Sequence, residues 1–369
     1  MIKRTNIRFI NTKTVAALFA AVFIFFGCKS NTPISVSFLD EYIIKDSLLF
    51  NDFIVGGLSG LNYANNKLYF VVDDAKNPRV LEANLILNNN KIKSIDFTKI
   101  ITIQDSTNAF YKNNVLDLED IFVDENTQEM VLISEGSINY KYVPSVFKTN
   151  LEGKFAQQFT VPKHFTNFNN IKHNGVFEGV SKSIDNKGFW VAMESPLKSD
   201  GEEPTFTKTT SPIRITYYSN STNSAEKQYT YLLDSVTMPP KGNVNLNGVT
   251  AILQHKKDAF LILERGYQSG YGPYGNTIRL YEAIISKNTK NTLWLHDLKD
   301  ERYQPLKKRL LLDFNTIKSQ LTEGIIDNLE GISYGPTLEN GNASLLLIAD
   351  DNFQVYGKQL NQLILLEIK

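Results

Sequence analysis

Carboxylate side chains recur in this sequence at the ends of apolar runs that have the length and composition of β-strands. Carboxylates brought together can hold a hard cation such as Ca²⁺, which binds about 6–8 oxygen atoms. Zinc is disfavoured, because the chain has only four histidines and one cysteine, with no zinc-ligand spacing among them. The acids that follow the runs are Asp73 and Asp74, Glu135, Glu194, Glu264, and Asp350 and Asp351.

A second set of acids lies before the same runs, in a short motif that occurs five times. Each copy has an apolar residue, a small or acidic pair and another apolar residue. Three copies have a glutamate in second position, Glu119, Glu178 or Glu330, whereas the fourth copy has Asn247 there. The copies are Leu58-Ser59-Gly60-Leu61, Leu118-Glu119-Asp120-Ile121, Phe177-Glu178-Gly179-Val180, Leu246-Asn247-Gly248-Val249 and Leu329-Glu330-Gly331-Ile332.

The repeat predicts an all-β protein, a β-propeller in which each copy begins one blade. Strand-like runs fill the sequence between the copies, and helical patterns are almost absent beyond the first residues, apart from 315–322. Five blades are visible and the length leaves room for a sixth. Apolar residues 36–38 and 363–368 are expected to pair and close the ring. The alternative is a β-sandwich with unrelated hairpins.

In a propeller the innermost strands line a central channel, so acids far apart in sequence would meet there. Like charges at short distance raise one another's pKa or require a cation. The sequence therefore predicts a polar functional centre that holds calcium. The alternative is that individual acids bond backbone N–H groups at the blade corners.

Two arginines accompany the acids of the fourth copy. Arg265 follows Glu264 directly, and Arg279 comes after a loop rich in glycine and tyrosine. The planar guanidinium matches the geometry of a phosphate. Carboxylates with a metal and two arginines could grip a phosphoester and activate water. Alternatively, both arginines only neutralise the acids.

The beginning of the chain predicts export and a lipid anchor. Basic residues precede an apolar run from Val15 to Phe26, which is too short to span a membrane. Phe25-Phe26-Gly27-Cys28 resembles the lipobox of bacterial lipoproteins, so Cys28 is the expected lipidation site. We expect a signal peptide at residues 1–27, a tether at 28–35 and a propeller domain at 36–369. The expected location is the bacterial cell envelope, at the outer membrane.

The composition and the missing motifs exclude some classes of partner and enzyme. The chain has 39 basic and 39 acidic residues, and this balance argues against nucleic acid as a partner. No Gly-x-Ser-x-Gly motif and no P-loop occurs, so a serine hydrolase or a P-loop nucleotide enzyme is disfavoured. We expect a monomer.

Several stretches resemble the phytase-like bacterial family called esterase-like activity of phytase, across roughly residues 50 to 360. The resemblance implies a secreted or envelope propeller whose acidic residues form the active region, and its name suggests phosphoester hydrolysis. The matching stretches are Gly56-Gly57-Leu58-Ser59-Gly60-Leu61, Gly175-Val176-Phe177-Glu178-Gly179-Val180, Leu263-Glu264-Arg265, Asn328-Leu329-Glu330-Gly331-Ile332 and Asp350-Asp351-Asn352-Phe353.

These observations predict a calcium-dependent phosphoesterase that acts on small phosphoesters. Glu178, Glu330, Glu119 and Glu194 are the expected catalytic residues, and Arg265 and Arg279 are expected to bind phosphate. The expected metal ligands are Asp74, Glu135, Glu264 and Asp350. The alternative function is a non-catalytic propeller that binds a ligand or a protein and contains structural calcium. A carboxylesterase ranks last, because no nucleophile is recognisable.

Overall fold

The computed structural model describes residues 33–299 and 302–369. The predicted signal peptide, Cys28 and residues 29–32 of the predicted tether lie outside the described residues. The first strand begins at Val36, where the propeller domain was expected to begin. Within the described ranges, no helix has the length and hydrophobicity that crossing a bilayer requires.

Five antiparallel sheets of four strands each form the propeller, which confirms the predicted all-β fold with five blades. Blade 5 takes its outer strand from the beginning of the chain, β1 (Val36–Ile44), and a hairpin of β2 (Leu49–Phe50) and β3 (Phe53–Ile54) follows. Blade 1 has β4 (Leu58–Ala64), β5 (Lys67–Val72), β6 (Arg79–Asn88) and β7 (Lys91–Thr102), and blade 2 has β8 (Leu118–Asp124), β9 (Glu129–Ser134), β10 (Ser145–Asn150) and β11 (Phe155–Gln158). Blade 3 has β12 (Phe177–Lys182), β13 (Gly188–Met193), β14 (Pro212–Ser219) and β15 (Ser224–Leu232). Blade 4 has β16 (Asn245–Lys256), β17 (Ala259–Gln268), β18 (Asn276–Ile284) and β19 (Lys307–Asp313), and blade 5 adds β20 (Leu329–Tyr334), β21 (Ala343–Ala349) and β22 (Asn361–Ile368).

Helices are short in the part of the chain that the structure describes. One α-helix, α1 (Ala109–Asn113), precedes blade 2. The helix expected at residues 315–322 is a 3-10 helix, Phe314–Gln320, and the Asp313 carboxylate accepts a hydrogen bond from Asn315 N at its start (3.0 Å). The other 3-10 helices are Ile138–Tyr140, Lys163–Phe165, Gly272–Tyr274, Thr322–Gly324 and Asn352–Gln354.

The two ends of the propeller domain close the ring as predicted. Strand β1 runs antiparallel to β22, with Val36 opposite Ile368 and Ile44 opposite Asn361. Blade 5 therefore combines the first strand of the described chain with the last three. Apart from the two-residue strands β2 and β3, every described strand belongs to one of the five blades.

The inner strands β4, β8, β12, β16 and β20 contact one another in a closed ring around the axis. Side chains from neighbouring blades pack between the sheets and form the hydrophobic core. Between blades 3 and 4, for example, the Trp190 and Phe260 rings meet edge to face with centroids 5.0 Å apart. Such burial of large apolar side chains is the main force that holds one blade against the next.

Every inner strand has a β-bulge near its beginning, where one extra residue stands opposite the second strand. A bulge bends the strand and changes the direction of its side chains. In blade 4 the bulge residue is Thr250 instead of Asn247, because β16 and β17 continue their pairing as far as Asn245 and Gln268. The bulge residues are Ser59, the pair Glu119-Asp120, Glu178, Thr250 and Glu330.

Some bulge side chains join one blade to the next. The hydroxyl groups of Ser59 and Thr250 each donate to a carbonyl of the following inner strand, those of Leu118 and Leu329, at 3.0 Å. The Asp120 carboxylate accepts a hydrogen bond from Val180 N at 2.8 Å. Asp120 therefore has a structural role, as the alternative reading of the corner acids predicted.

We predict that Asp120→Ala lowers the free energy of unfolding by about 1–3 kcal/mol, because it leaves the buried N–H groups of Val180 and Ile121 without an acceptor. Urea unfolding measures the change. Asp46→Ala, at an exposed position, is the control and should unfold like the wild type. Equal stability of the two variants would contradict this role for Asp120.

Candidate functional site

The ends of the second strands meet the beginnings of the inner strands at one end of the propeller, which we call the acidic end. In each blade the residue before the bulge pairs with a residue of the second strand, for example Leu58 with Val72. The next residue of the second strand is therefore equivalent in all five blades. These residues are Asp73, Glu135, Glu194, Arg265 and Asp350.

The acidic end brings together eight carboxylates from four blades. The bulges of blades 2, 3 and 5 contribute Glu119, Glu178 and Glu330, and Asp117 joins them from the segment before β8. Charges interact across the axis, since Glu330 of blade 5 and Glu135 of blade 2 both raise the pKa of Glu178 in blade 3. The eight are Asp73, Asp117, Glu119, Glu135, Glu178, Glu194, Glu330 and Asp350.

Half of these carboxylates are fixed by the protein. Glu135 accepts hydrogen bonds from the backbone N–H groups of Gly175 (2.7 Å) and Val176. Asp350 accepts one from Asn352 N (2.7 Å). These bonds hold the carboxylates of blades 2 and 5 in place without neutralising them.

Arg265 fixes two more carboxylates. Its Nη2 lies 2.8 Å from Glu194 Oε1 and its Nη1 lies 2.9 Å from Glu330 Oε1. It also donates to Asn328, whose amide donates to Glu330 (2.9 Å). Burial opposes the charge of Arg265, but Glu330, Glu194 and Glu178 raise its pKa, so the guanidinium stays protonated.

Four carboxylates lack a backbone, hydroxyl, amide or basic partner, although Asp73 and Asp117 lie within hydrogen-bond reach of each other. Asp73, Asp117, Glu119 and Glu178 accept no backbone, hydroxyl or amide hydrogen bond from the described residues. No lysine, arginine or histidine of residues 33–299 and 302–369 lies within 4.0 Å of them. Unpaired carboxylates at partly buried positions are costly unless a cation or protons compensate for their charge.

Burial and mutual repulsion raise the pKa values of most of the eight carboxylates. Burial, together with Asp117, Asp350 and Glu135, raises the pKa of Asp73 to about 9. Burial and the charge of Glu194 raise the pKa of Glu135 to about 8. Burial raises the pKa of Glu330 to about 7 although Arg265 acts in the opposite direction. For the same two reasons the pKa values of Glu119, Glu178 and Asp350 lie well above their usual range.

Three of the free carboxylates have the geometry of a cation site. One oxygen atom each of Asp73, Asp117 and Glu119 lies within 4.8 Å of the other two. Two oxygen atoms that bind the same Ca²⁺ at 2.3–2.6 Å can be at most about 5 Å apart. The residues therefore fit a hard cation, and Glu178, whose charge is the largest neighbouring contribution to the pKa of Glu119, lies beside them.

Glu264 lies outside this group, in contrast to the expectation from sequence. It pairs with Val249 before the bulge, so its side chain faces away from the side that Arg265 occupies. Its carboxylate accepts hydrogen bonds from Tyr231 (2.5 Å) and Lys308 (2.7 Å) and is fully engaged between blades 3 and 4. Arg265 takes the position expected for Glu264.

Asp74 also faces away from the group. It accepts hydrogen bonds from Arg79 Nη1 (2.7 Å) and from the amide of Asn77, and these bonds lower its pKa although burial opposes the change. Its neighbour Asp73 is the one that joins the carboxylates. Asp74 therefore stabilises the turn after β5 and is not placed to bind the cation.

Arg279 does not reach the eight carboxylates of the acidic end. It lies on the third strand of blade 4, where its Nε donates to Asp313 (3.1 Å) and its Nη1 lies 3.9 Å from Asp234. Of the two arginines expected to bind phosphate, only Arg265 lies among the central carboxylates.

Asp117 was not among the acids singled out from sequence. It stands two residues before Glu119, and side chains two positions apart in an extended chain share a face. That spacing was a usable signal, but its contact with Asp73 joins two blades and depends on the fold.

The raised pKa values predict how the metal-free protein responds to pH. The folded state holds protons that the unfolded state has lost, so its stability should fall as pH rises from about 6.5 to about 9. Above pH 6.5 the buried His164, with its pKa lowered to about 3, is neutral when folded and mostly neutral when unfolded. The melting temperature in chelator, measured across this range, should decrease. Excess calcium should flatten the decrease, and a melting temperature that rises with pH would contradict the interpretation.

Two adjacent residues provide a matched test of the cation site. Asp73→Asn should weaken calcium binding by about tenfold or more, because it removes a proposed ligand. Asp74→Asn changes the same chemistry one residue further along and should leave the affinity unchanged. Isothermal titration calorimetry measures both. Equal losses in the two variants would show that the strand register does not determine calcium binding.

Solved structures with a similar fold include several enzymes. An exo-β-1,3-galactanase from Phanerochaete chrysosporium is 10% identical, with a TM-score of 0.44, covering 89% of this chain and 64% of that one. A GH43 β-1,3-galactosidase is 9% identical, with a TM-score of 0.43 and coverage of 83% and 89%. Hydrazine synthase from Kuenenia stuttgartiensis is 6% identical, with a TM-score of 0.37 and coverage of 79% and 64%. This chain thus spans about two thirds of the galactanase, and likenesses this weak say nothing about its activity.

No curated protein matches the chain in sequence. A family profile does, and it covers most of the propeller. The profile described as phytase-like, esterase-like activity of phytase, matches residues 54–353, which include all eight carboxylates and Arg265. The chain belongs to this phytase-like family.

Proposed function

We propose that the protein is a calcium-dependent phosphoesterase that acts on small phosphoesters at the acidic end of the propeller. The observation that supports it most is the group of Asp73, Asp117 and Glu119, whose oxygen atoms lie within 4.8 Å of one another and have no protein cation beside them. Free carboxylates at cation-binding distance are what a metal-assisted hydrolase requires.

Electrostatics makes a cation necessary for this function. Among the described residues, eight carboxyl groups lie around the guanidinium of Arg265, and those that are ionised would repel a phosphoester dianion from the metal-free site. Asp73, Asp117 and Glu119 would hold the cation, and the tied carboxylates would keep the surroundings rigid. A cation bound there would neutralise charge on the phosphoryl oxygens and make the phosphorus more electrophilic.

Glu178 and Glu330 are suited to opposite proton transfers. Burial and the charges of Glu194, Glu135 and Glu330 raise the pKa of Glu178 and favour its protonated form. A cation bound beside it would favour the carboxylate instead, which accepts no hydrogen bond from the described residues and could take a proton from the attacking water. Glu330, with its pKa near 7, is partly protonated at neutral pH and would give a proton to the leaving alcohol oxygen. In this scheme the water oxygen bonds to phosphorus as the ester P–O bond breaks.

Arg265 would orient the acids and face the phosphate. Its contacts with Glu194 and Glu330 fix both side chains, and its remaining N–H groups could approach a phosphoryl oxygen. Arg279 is left out of this scheme, because its partners are Asp313 and Asp234.

We predict that Glu178→Gln and Glu330→Gln each lower kcat by about a hundredfold or more, since each removes a proton-transfer group. Release of inorganic phosphate from glycerol phosphate and phenyl phosphate, with calcium present, measures the effect. Glu339→Gln, at an exposed position, is the matched control. Turnover like that of the wild type in either variant, or in chelator, would remove the proposal.

The rival function is a non-catalytic propeller that binds a ligand or a partner protein, with calcium as a structural element. Its support is that Glu135 and Asp350 are tied to backbone N–H groups, as structural acids are. In that case chelation would lower the melting temperature while no phosphoester in a panel is cleaved. The two measurements made side by side separate the functions.

We also propose that the protein is a monomeric lipoprotein of the bacterial outer membrane, anchored through Cys28. The basic start, the apolar run and the lipobox-like Phe25-Phe26-Gly27-Cys28 support this location. Labelling with radioactive palmitate should be lost in Cys28→Ala. Label that persists in this variant would contradict the anchor.

A further inference from the structure

Five of the 15 exposed large apolar side chains among the described residues lie in two segments that flank the start of blade 1. The β2–β3 hairpin exposes Leu49, Phe53 and Ile54 by 64%, 40% and 47%, and the loop after Asp351 exposes Val355 and Tyr356 by 73% and 82%. With the half-buried Phe353, we call these residues the apolar lip. An apolar patch on the surface of a soluble domain commonly marks a binding surface.

Arg79 connects the two segments. Its guanidinium carbon lies 5.0 Å from the centre of the Phe53 ring and 6.0 Å from that of Phe353. The same guanidinium donates to Asp74 (2.7 Å), the residue next to the proposed cation ligand Asp73. Phe53 and Phe353 thus pack around a side chain that is bound to the turn carrying Asp73.

The second segment is held in a strained conformation. Asn352, Phe353 and Gln354 all have left-handed backbone angles, with φ of 46°, 48° and 63°. Residues with a Cβ adopt this conformation at an energetic cost, and such strain concentrates at ligand sites. Asp351 offsets it by accepting hydrogen bonds from Phe353 N (3.2 Å) and the Gln354 side chain (3.1 Å).

The strained turn holds the Phe353 ring against the backbone of the site. A Cβ at Gly57 would meet this ring at 2.2 Å, so only glycine leaves room for it. The carbonyl of Gly57 accepts the hydrogen bond of Asp73 N (2.8 Å). The ring therefore packs on the residue that fixes the backbone of Asp73.

We propose that the apolar lip binds the organic group of the substrate, so that the site favours phosphoesters of aromatic or other large apolar alcohols. This inference rests on the proposed phosphoesterase function. The guanidinium of Arg79 is occupied by Asp74, and the lip therefore offers ring stacking and apolar contact instead of a charge. An anionic organic group would gain nothing there, whereas an aromatic ring can stack on Phe53.

Binding of phosphonates, which are not hydrolysed, tests the lip without turnover. The calcium-loaded chain should bind benzylphosphonate about threefold to tenfold more tightly than methylphosphonate. In Phe53→Ala the ratio of the two affinities should fall towards one. Tyr140→Ala removes another exposed aromatic ring, which lies in the loop after β9, and should leave the ratio unchanged.

The outcomes separate this inference from the proposed function. Cleavage of glycerol phosphate combined with equal phosphonate affinities would overturn the lip and leave the phosphoesterase intact. A ratio that Phe53→Ala and Tyr140→Ala lower equally would also overturn it. If the preference depends on Phe53 while no phosphoester is cleaved, the lip stands as a binding site and the catalytic proposal fails. Absence of both phosphonate binding and turnover would remove both.

Discussion

The two-residue period of an extended strand determines which acids meet at the acidic end. In each blade one of the equivalent residues Asp73, Glu135, Glu194, Arg265 and Asp350 faces the axis, while its neighbours on both sides face away. A shift of one residue would exchange the two sets of side chains. Each bulge fixes the register between the first two strands of its blade. The candidate cation site therefore depends on the five bulges before it depends on any individual carboxylate.

Arg265 breaks the fivefold repetition of the acids. Four blades place a carboxylate at the equivalent position and blade 4 places a guanidinium there. Its charge compensates Glu194 and Glu330, so the carboxylates of blades 1 and 2 are left without a protein cation. This asymmetry divides an otherwise uniform ring into a side neutralised by the protein and a side that needs an added cation. It would localise a bound cation more sharply than a symmetric ring of acids would.

Local features of the sequence were sufficient to predict the fold. Turn residues, apolar runs and a repeated motif specify hairpins one at a time, and the apolar ends of the domain predicted the pairing of β1 with β22. The register of the first two strands of blade 4 could not be predicted from such local features. Its first two strands extend to Asn245 and Gln268, so the motif expected at Asn247 lies three residues later, and Glu264 and Arg265 exchange their expected positions.

The acidic cluster itself was predictable only in part, for a related reason. An acidic pair at a strand end shows that one carboxylate faces the axis, but not which one, as Asp73 and Asp74 illustrate. Asp117 reaches the cluster from a segment outside the repeated motif, and its neighbour Asp73 comes from another blade. Contacts between blades follow from the closed ring, and a single sequence contains no direct record of them.

Where two acids are adjacent at a strand end, one faces the cluster and the other holds the nearby loop through hydrogen bonds. Asp350 faces the cluster, whereas Asp351 turns away and accepts a hydrogen bond from Gly57 N of the next blade at 2.8 Å. Asp73 and Asp74 divide in the same way, with Asp74 paired to Arg79. Bringing carboxylates together costs folding free energy, because burial and repulsion both disfavour their ionised forms. The outward acids offset part of that cost through hydrogen bonds that also hold the loops of the acidic end. This arrangement explains how the free carboxylates can lack protein partners while the backbone around them stays fixed.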